Sequence, residues 1–515
     1  MAPTVTIPQP TSNLFPEAAE LDRTALGRRW VIIAAAVALV VKMLIAWNTI
    51  GTNDVISFYH FGKSLTSVGL EATYAGQVSF NHPPLVAAFL RGIYALDHIP
   101  WMHQYGIAFP FLLRLPGIIA DFVVVLVLLG LARPLRLPIW SLFVLAVSPV
   151  SLMVSGFHGN TDSLMVLFVV LAAYMCERER PISCAFFLAL SCQVKIVPLL
   201  LVPIFFFHWL FRNRSLSFTL TLLSASVLFW IDPLLHFPAI FVQRVLLYGS
   251  FWGIWGITYW LKLTGIQDFG PVTYYNFLPM QQVVVTGLKV VIVLAVLSLA
   301  WRRRKLDAHG VFASLGWAWV IFFILSPGVC AQYMVWLMPF VLVLSPRFFA
   351  WLTLTSSLFL FFFYNSIAHG LPWYLAISDG SVTVEWVPWT VWPWATLIVG
   401  AVLLWRRACK TDPELRLWSL APVKRLLKNW SGLRVEAEGA DGKERARRIP
   451  ARGCNERATP PGRPFCLAPQ GLRCFRPWPA LLAWSRWQGY RPCARALARA
   501  QNNSNATHSS ISTVS

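Results

Sequence analysis

The chain has 515 residues, of which 57% are hydrophobic and 13% charged, with 36 Phe, 25 Trp and a formal net charge of +21. Soluble domains carry about 25% charged residues, and one core cannot hide this much apolar surface. A water-soluble fold is therefore excluded, and repeated apolar runs of about 20 residues point to a helical membrane domain. The positive charge lies in a basic tail and in short clusters between apolar runs, as membrane topology requires, which excludes a nucleic-acid partner. The 9 cysteines form no CxxC pair, so neither a zinc site nor a redox motif is indicated.

Residues 1–29 read as a cytoplasmic segment in which Arg23, Arg28 and Arg29 precede the first apolar run, 30–48. That run is long enough to span and reads as an uncleaved first helix. An outer loop, 49–108, follows. In it Val55, Phe58, Phe61, Leu65 and Val68 recur at helical spacing, which predicts a helix lying in the membrane interface, and Pro83-Pro84 opens a second such segment over 85–96. Further spans are expected at 109–132, 137–155, 162–176, 182–195, 196–211, 216–232, 280–301, 310–325, 332–346, 349–366 and 387–405, about 12 in all. Arg133/Arg136, Arg178/Arg180, Arg212/Arg214, Arg302 to Lys305, Arg347 and Arg406/Arg407 then all fall on the inner side, with both termini. Long outer loops run over 233–279 and 367–386, and short outer turns over 156–161 and 326–331. The tail, 409–515, is rich in Pro, Arg and Ala without a sustained period; it reads as a mostly disordered cytoplasmic segment, with a short basic helix over Leu415–Trp430 on the inner leaflet. The fold class is thus all-α: a polytopic transmembrane helical bundle over 30–408, with interfacial helices in its first outer loop.

Charges near a membrane are costly, so each one outside the inner clusters asks for a reason. Asp54, Arg114, Asp121, Asp162, Lys195, Asp232 and Arg244 nearly all fall at outer helix ends in this topology, where they can converge on one pocket. Asp54, after Asn53, reads equally as a general base for a hydroxyl and as an N-terminal helix charge favoured by the dipole. Lys195 has no acidic neighbour in sequence, and reads as a phosphate ligand or as a snorkelling lysine. Arg114 and Asp121 are seven residues apart, on one helical face. Asp121 is expected to pair with another helix, and Arg114 to bind phosphate. In the turn Phe157 to Ser163, Asp162 with Asn160 reads most simply as a helix cap, and His158 as a cap-turn residue or a sugar or phosphate contact; His82 reads similarly. The aromatics of 248–256 read as interfacial belt. Ser326-Pro327-Gly328 ahead of Gln332-Tyr333 breaks a helix at the outer surface, the mark of a cavity lining. Walker, GxGxxG, HExxH and GxSxG patterns do not occur, so soluble-nucleotide and triad chemistry are unsupported.

Five fragments occur in order: Asn53-Asp54, Phe80-Asn81-His82-Pro83-Pro84-Leu85, His158-Gly159-Asn160-Thr161-Asp162-Ser163, Val194-Lys195-Ile196-Val197-Pro198, and Ser326-Pro327-Gly328 with Gln332-Tyr333-Met334-Val335-Trp336. Together they resemble the GT-C superfamily of integral membrane glycosyltransferases, over about residues 30–408. The nearest branches are polyprenol-phosphate-sugar mannosyltransferases and the glucosyltransferases of dolichol-linked oligosaccharide assembly. The resemblance implies an inverting transfer of a hexose, mannose or glucose, from a polyprenyl-phosphate donor to a lipid-linked, glycan or protein acceptor. It also implies that the reaction takes place on the non-cytoplasmic face of a bilayer, such as a bacterial inner membrane. The presumed base of such families maps onto Asp54. Lys195, Arg114 and Arg244 are the cations available for the donor phosphate, and Asn53, His82, His158, Asp162, Gln332 and Tyr333 the substrate contacts. No metal site is expected, although a divalent cation stays open. The chain departs from the family where some branches carry two adjacent acidic residues and this one has Asn53-Asp54. A transporter or flippase of lipid-linked saccharides is the rival class, and a lipid-linked oligosaccharide ligase the nearer alternative.

Overall fold

The computed structural model describes residues 15–411 apart from 248–250, 271–276, 306 and 378–386. All of these belong to the first of two units, Met1–Leu426. The expectations for the tail, for its basic helix and for Tyr248-Gly249-Ser250 lie outside the described residues.

The chain is helical nearly throughout. Helix α1 (Phe15–Asn48) leads into strand β1 (Gly51–Thr52) and a run of short helices, α2 (Asn53–Ser67), α3 (Gly69–Gly76), α4 (Pro84–Asp97) and α5 (Pro100–Gln104). Helices α6 (Phe109–Gly130), α7 (Ile139–Ala146) and α8 (Pro149–Ser151) follow, the last continued by a π-helical turn, Leu152–His158. Next come α9 (Asp162–Glu177), α10 (Pro181–Val194), a 3-10 turn (Val197–Leu201), α11 (Val202–Leu210) and α12 (Ser215–His236). The segment after α12 holds α13 (Pro238–Phe241) and α14 (Gly256–Leu263). Helices α15 (Pro279–Arg302), α16 (Ala308–Leu325), α17 (Met334–Leu344) and α18 (Pro346–Ile367), then strand β2 (Leu375–Ala376) and α19 (Val391–Thr411), complete it.

Every expected span coincides with a helical segment. Seven of these are long and apolar enough to cross a membrane: Ala25–Asn48, Phe109–Gly130, Ile139–His158, Ser215–His236, Pro279–Arg302, Pro346–Ile367 and Val387–Arg407. Four others, Pro181–Val194, Val197–Leu210, His309–Leu325 and Ala331–Leu344, are apolar but shorter, and α9 has 16 residues. The molecule is an all-α membrane protein. Its helices divide by exposure: α17 buries every residue from Met334 to Val343, as a helix apolar on all faces must. Helix α12 instead turns Leu216, Leu220, Leu223 and Leu228 outward, side chains for which lipid is the natural solvent.

The two ends of the helices differ. At one end lie the basic clusters, with Arg214 donating to Glu179 O at 2.8 Å and Arg303 to Ser314 Oγ at 3.0 Å. At the other end Asp54, His158, Asp162, Lys195 and Gln332 gather. Deep between them, Lys42 of α1 pairs with Asp121 of α6 at 2.7 Å. This is the inter-helix ion pair expected for Asp121, and Ser151 and Ser155 also donate to Oδ2. Isolated charges of this depth need such pairing.

Three expectations need correction. The first helix is longer than the apolar run 30–48: α1 covers Phe15–Asn48. The apolar face of α2 (Val55, Phe58, Phe61, Leu65) is buried and packs on α4 rather than lying on lipid. Val68 leaves that face: it is the C-cap, at φ −123° and ψ −6°, and is exposed. Nor did helical periodicity announce the parallel pairing of Gly51 with Leu375 and Thr52 with Ala376, which ties the segment after α1 to the segment between α18 and α19.

Candidate active site

The site is assembled where α1 ends. Its last carbonyls have no intrahelical donors, and Arg114 of α6 supplies them. Nη2 donates to Ala46 O and Ile50 O at 3.1 and 3.2 Å, and also to Thr49 O. Nη1 reaches Thr49 Oγ1, Gly156 O and Phe157 O at 2.9, 3.0 and 3.1 Å, and Nε bonds Pro110 O at 2.8 Å. The side chain is fully buried. Arg114 is therefore a staple between α1, α6 and the π-helical turn, where a phosphate ligand was expected. A buried guanidinium carries five donors, and the carbonyls already occupy them.

This staple brings the chain around Gly51 against the turn. Gly51 has φ +101°, and a Cβ there would sit 2.5 Å from Phe157 O; Gly159 has φ +83°, with a Cβ position 2.3 Å from Val55 Cγ2. Neither position has room for a side chain. Thr52 Oγ1 then donates to His158 O at 2.9 Å and accepts from Asp54 N at 3.3 Å, capping α2. Asp54 is thus in the first turn of α2, where the dipole favours it, and its carboxylate also faces the turn.

Three donors converge on one oxygen of that carboxylate. His158 Nε2 lies 3.0 Å from Asp54 Oδ2, Asn160 Nδ2 3.1 Å and Gln332 Nε2 3.3 Å. Asn160 is oriented for this, since its Oδ1 accepts from Thr161 N at 2.6 Å. Among the described residues no donor reaches Oδ1, and the Asp54 side chain is 31% exposed. Burial acts to raise the carboxyl's pKa, but the hydrogen bond from His158, the positive charge of Lys195 and the hydrogen bond from Asn160 outweigh it and hold the group below the usual carboxylate range. The result is an anion with one lone-pair-bearing oxygen open.

Lys195 follows α10 and bonds Asp162 Oδ1 at 2.7 Å. Trp336 Nε1 reaches the same oxygen at 2.7 Å. The ammonium also lies over the Tyr333 and Trp336 rings, 4.5 and 5.4 Å from their centroids, rings that stack at 4.0 Å. A cation held by a carboxylate and two π faces is fixed in place. One expectation changes here. Lys195, without an acidic neighbour in sequence, finds its acidic partner on another element; the change concerns Asp162. Asp162 is the first residue of α9 rather than its cap, because its fully buried carboxylate needs the cation more than the helix N–H groups do.

His82 lies between Phe58 and Phe80, at 5.0 and 5.9 Å between centroids, and its carbonyl accepts from Tyr74 Oη at 2.6 Å. Burial, then Lys195, push its imidazole down to about 3, against the opposing pull of Asp54 and a hydrogen bond with the Val194 backbone. The ring is neutral at physiological pH, a hydrogen-bonding contact rather than a cation. Tyr333 also borders a cavity of about 130 Å³ walled by Ile196, Val197, Leu246 and Phe322, with Lys289 and Ser326 among its lining.

The structure therefore brings Asp54, His158 and Gln332 into one cluster, with Lys195, Asp162, Tyr333 and His82 beside it. Besides Arg114, it does not bring in three others. Asn53 makes none of the contacts that gather on Asp54. Arg244, half-buried, donates through Nε to Tyr74 O at 3.1 Å, tying its segment to α3. Asp232 is exposed and pairs with His236. Sequence reasoning missed Lys42, the role of Trp336, and Tyr364, whose Oη lies 3.0 Å from His158 Nδ1. Tyr364 sits in an aromatic run, Phe361 to Tyr364, where nothing in the sequence separates it from its lipid-compatible neighbours. Among the described residues no three His, Cys, Asp or Glu side chains gather to hold a metal ion. No protein-family model matches the chain, and no curated protein matches it.

Proposed function

We propose that this chain is an inverting glycosyltransferase of the GT-C kind. It moves a hexose, mannose or glucose, from polyprenyl phosphate to an acceptor on the non-cytoplasmic face of a membrane that its helices cross about 12 times. The observation that carries this reading is Asp54: a carboxylate kept anionic by three donors on Oδ2, with Oδ1 open at a partly exposed position. That is what a general base for a hydroxyl requires.

The reaction balances on these groups. The acceptor hydroxyl gives its proton to Asp54 Oδ1 as its oxygen bonds to the sugar's anomeric carbon from the face opposite the phosphate. The anomeric carbon–phosphate oxygen bond breaks through an oxocarbenium-like transition state, and its electron pair leaves with polyprenyl phosphate. The growing negative charge on that phosphate is met by Lys195, preorganised by Asp162 and the two rings, rather than by a proton. The mainly apolar cavity beside Tyr333, which Lys289 and Ser326 also line, suits the first isoprene units of the donor. Neutral His82 and Gln332 offer hydrogen bonds to sugar hydroxyls. A donor carried by lipid fits a face of the membrane where nucleotide sugars are absent.

A transporter or flippase of lipid-linked saccharides would use the same donor without breaking it. Purified protein given a panel of radiolabelled polyprenyl-phosphate hexoses separates the two. Transfer predicts release of polyprenyl phosphate with one sugar and a labelled acceptor; label that stays on intact lipid throughout the panel refutes the reading.

A further inference from the structure

We propose that Tyr364 is a positioning residue that sets the tautomer of His158 and so keeps Asp54 ready as the base, an inference that rests on the function proposed above. The geometry is a linear relay. Tyr364 Oη lies 3.0 Å from His158 Nδ1, and His158 Nε2 lies 3.0 Å from Asp54 Oδ2. Tyr364 is fully buried, and His158 nearly so. An ionised carboxylate only accepts hydrogen bonds, so Nε2 has to carry a proton. In a neutral imidazole Nδ1 then has a lone pair, and that lone pair needs a donor, since which ring nitrogen is protonated follows from the bond the other one makes. Among the described residues the Tyr364 hydroxyl is the donor in reach. Its own placement is over-determined: the ring packs edge-on against Phe157 and tilted against Trp373, each at 5.5 Å between centroids.

The charged groups on the surrounding elements do not compete for this role. Lys42 of α1 pairs with Asp121 of α6, and Arg114 of α6 donates to the carbonyls before and within the turn. Lys195 is held on Asp162. His82, beyond Asp54, is neutral. With the ring neutral the relay has one direction: Tyr364 O–H into Nδ1, and Nε2–H into Asp54. Without the phenol, the tautomer protonated at Nδ1 is no longer disfavoured, and it would turn an Nε2 lone pair toward the carboxylate.

Tyr364→Phe keeps the ring and its packing, and removes the donor. Two measurements on the full-length protein test the idea, and only the second depends on catalysis. The first is nitrogen magic-angle-spinning NMR of histidine-labelled protein in bilayers, with the His158 signals assigned by their loss in His158→Gln. The expected wild-type spectrum is the neutral tautomer protonated at Nε2, and Tyr364→Phe is expected to shift population to the other tautomer. A cationic ring or an Nδ1–H tautomer in the wild type, or an unchanged spectrum in Tyr364→Phe, overturns the inference. The second is the pH profile of hexose transfer. Tyr364→Phe should lower kcat by about tenfold, a part of what general-base catalysis contributes, leave KM unchanged, and move the acid limb to higher pH. An active Tyr364→Phe enzyme with the wild-type acid limb overturns it as well. If the wild type transfers no sugar, the proposed function fails, while the NMR result still decides the tautomer.

Discussion

Asp54 and Asp121 are built alike and placed differently. Each receives three donors on Oδ2: His158, Asn160 and Gln332 for Asp54, and Lys42, Ser151 and Ser155 for Asp121. Asp121 is met directly by an ammonium and is 12% exposed between helices. Asp54 is met by neutral amides and an imidazole, at 31% exposure, at the end of the bundle. The first arrangement neutralises a carboxylate. The second stabilises its charge without capping its reactivity. The number of hydrogen bonds thus says little about a carboxylate's task; the type of donor and the access to its second oxygen say more.

Substitution separates the two carboxylates, and the largest effect is expected at Asp54. Asp54→Asn keeps an oxygen for the three donors, so thermal unfolding should stay near wild type. Removing the base should lower transfer by about 10²- to 10⁴-fold. The same exchange at the other carboxylate should do the reverse. Asp121→Asn leaves Lys42 without a counter-charge in an apolar interior, which costs about 3–5 kcal/mol of stability and should lower the unfolding midpoint in detergent. Lys42→Met with Asp121→Leu should recover most of that loss, because the pair leaves together. Unchanged unfolding in Asp121→Asn would remove the distinction between the two sites.

Lys195 lies between these cases. Lys195→Ala strands Asp162, whose carboxylate is fully buried, and should both destabilise the fold and weaken donor use. Combining it with Asp162→Asn should restore the unfolding midpoint and leave a raised KM for the polyprenyl-phosphate sugar. A double variant with wild-type KM would remove Lys195 from the donor site. The smallest effect is expected in the pH profile. Because Asp54 is held below the usual carboxylate range, transfer should be flat through neutral pH and fall only as pH drops through that lowered value. His158→Gln weakens the main lowering influence, so the carboxyl pKa rises and the acid limb moves to higher pH. A limb that does not move would mean that His158 does not tune the base.

Much of the bundle was legible in the sequence, because lipid requires long apolar runs and topology requires basic clusters between them. The helical segments were found for that reason. The site was legible in part. Asp54, His158, Lys195 and Gln332 stand out as polar residues at helix ends, where local composition is a sufficient signal. What composition cannot carry is which partner each one meets. Arg114 looked like a free cation because the acceptors that hold it, Ala46 O to Ile50 O and Gly156 O to Phe157 O, are backbone atoms distant in sequence. Asp162 looked like a cap because its cation lies on another helix. Tyr364 was hidden by its aromatic neighbours, and the β1–β2 pairing by being only two residues long on each side.

The most direct test of the account is a side-by-side assay of purified wild type and Asp54→Asn with the polyprenyl-phosphate hexose that the panel selects, following both polyprenyl phosphate release and labelled product. Release and product are expected for the wild type, and neither above background for a folded Asp54→Asn; equal turnover by the two proteins would rule out Asp54 as the base.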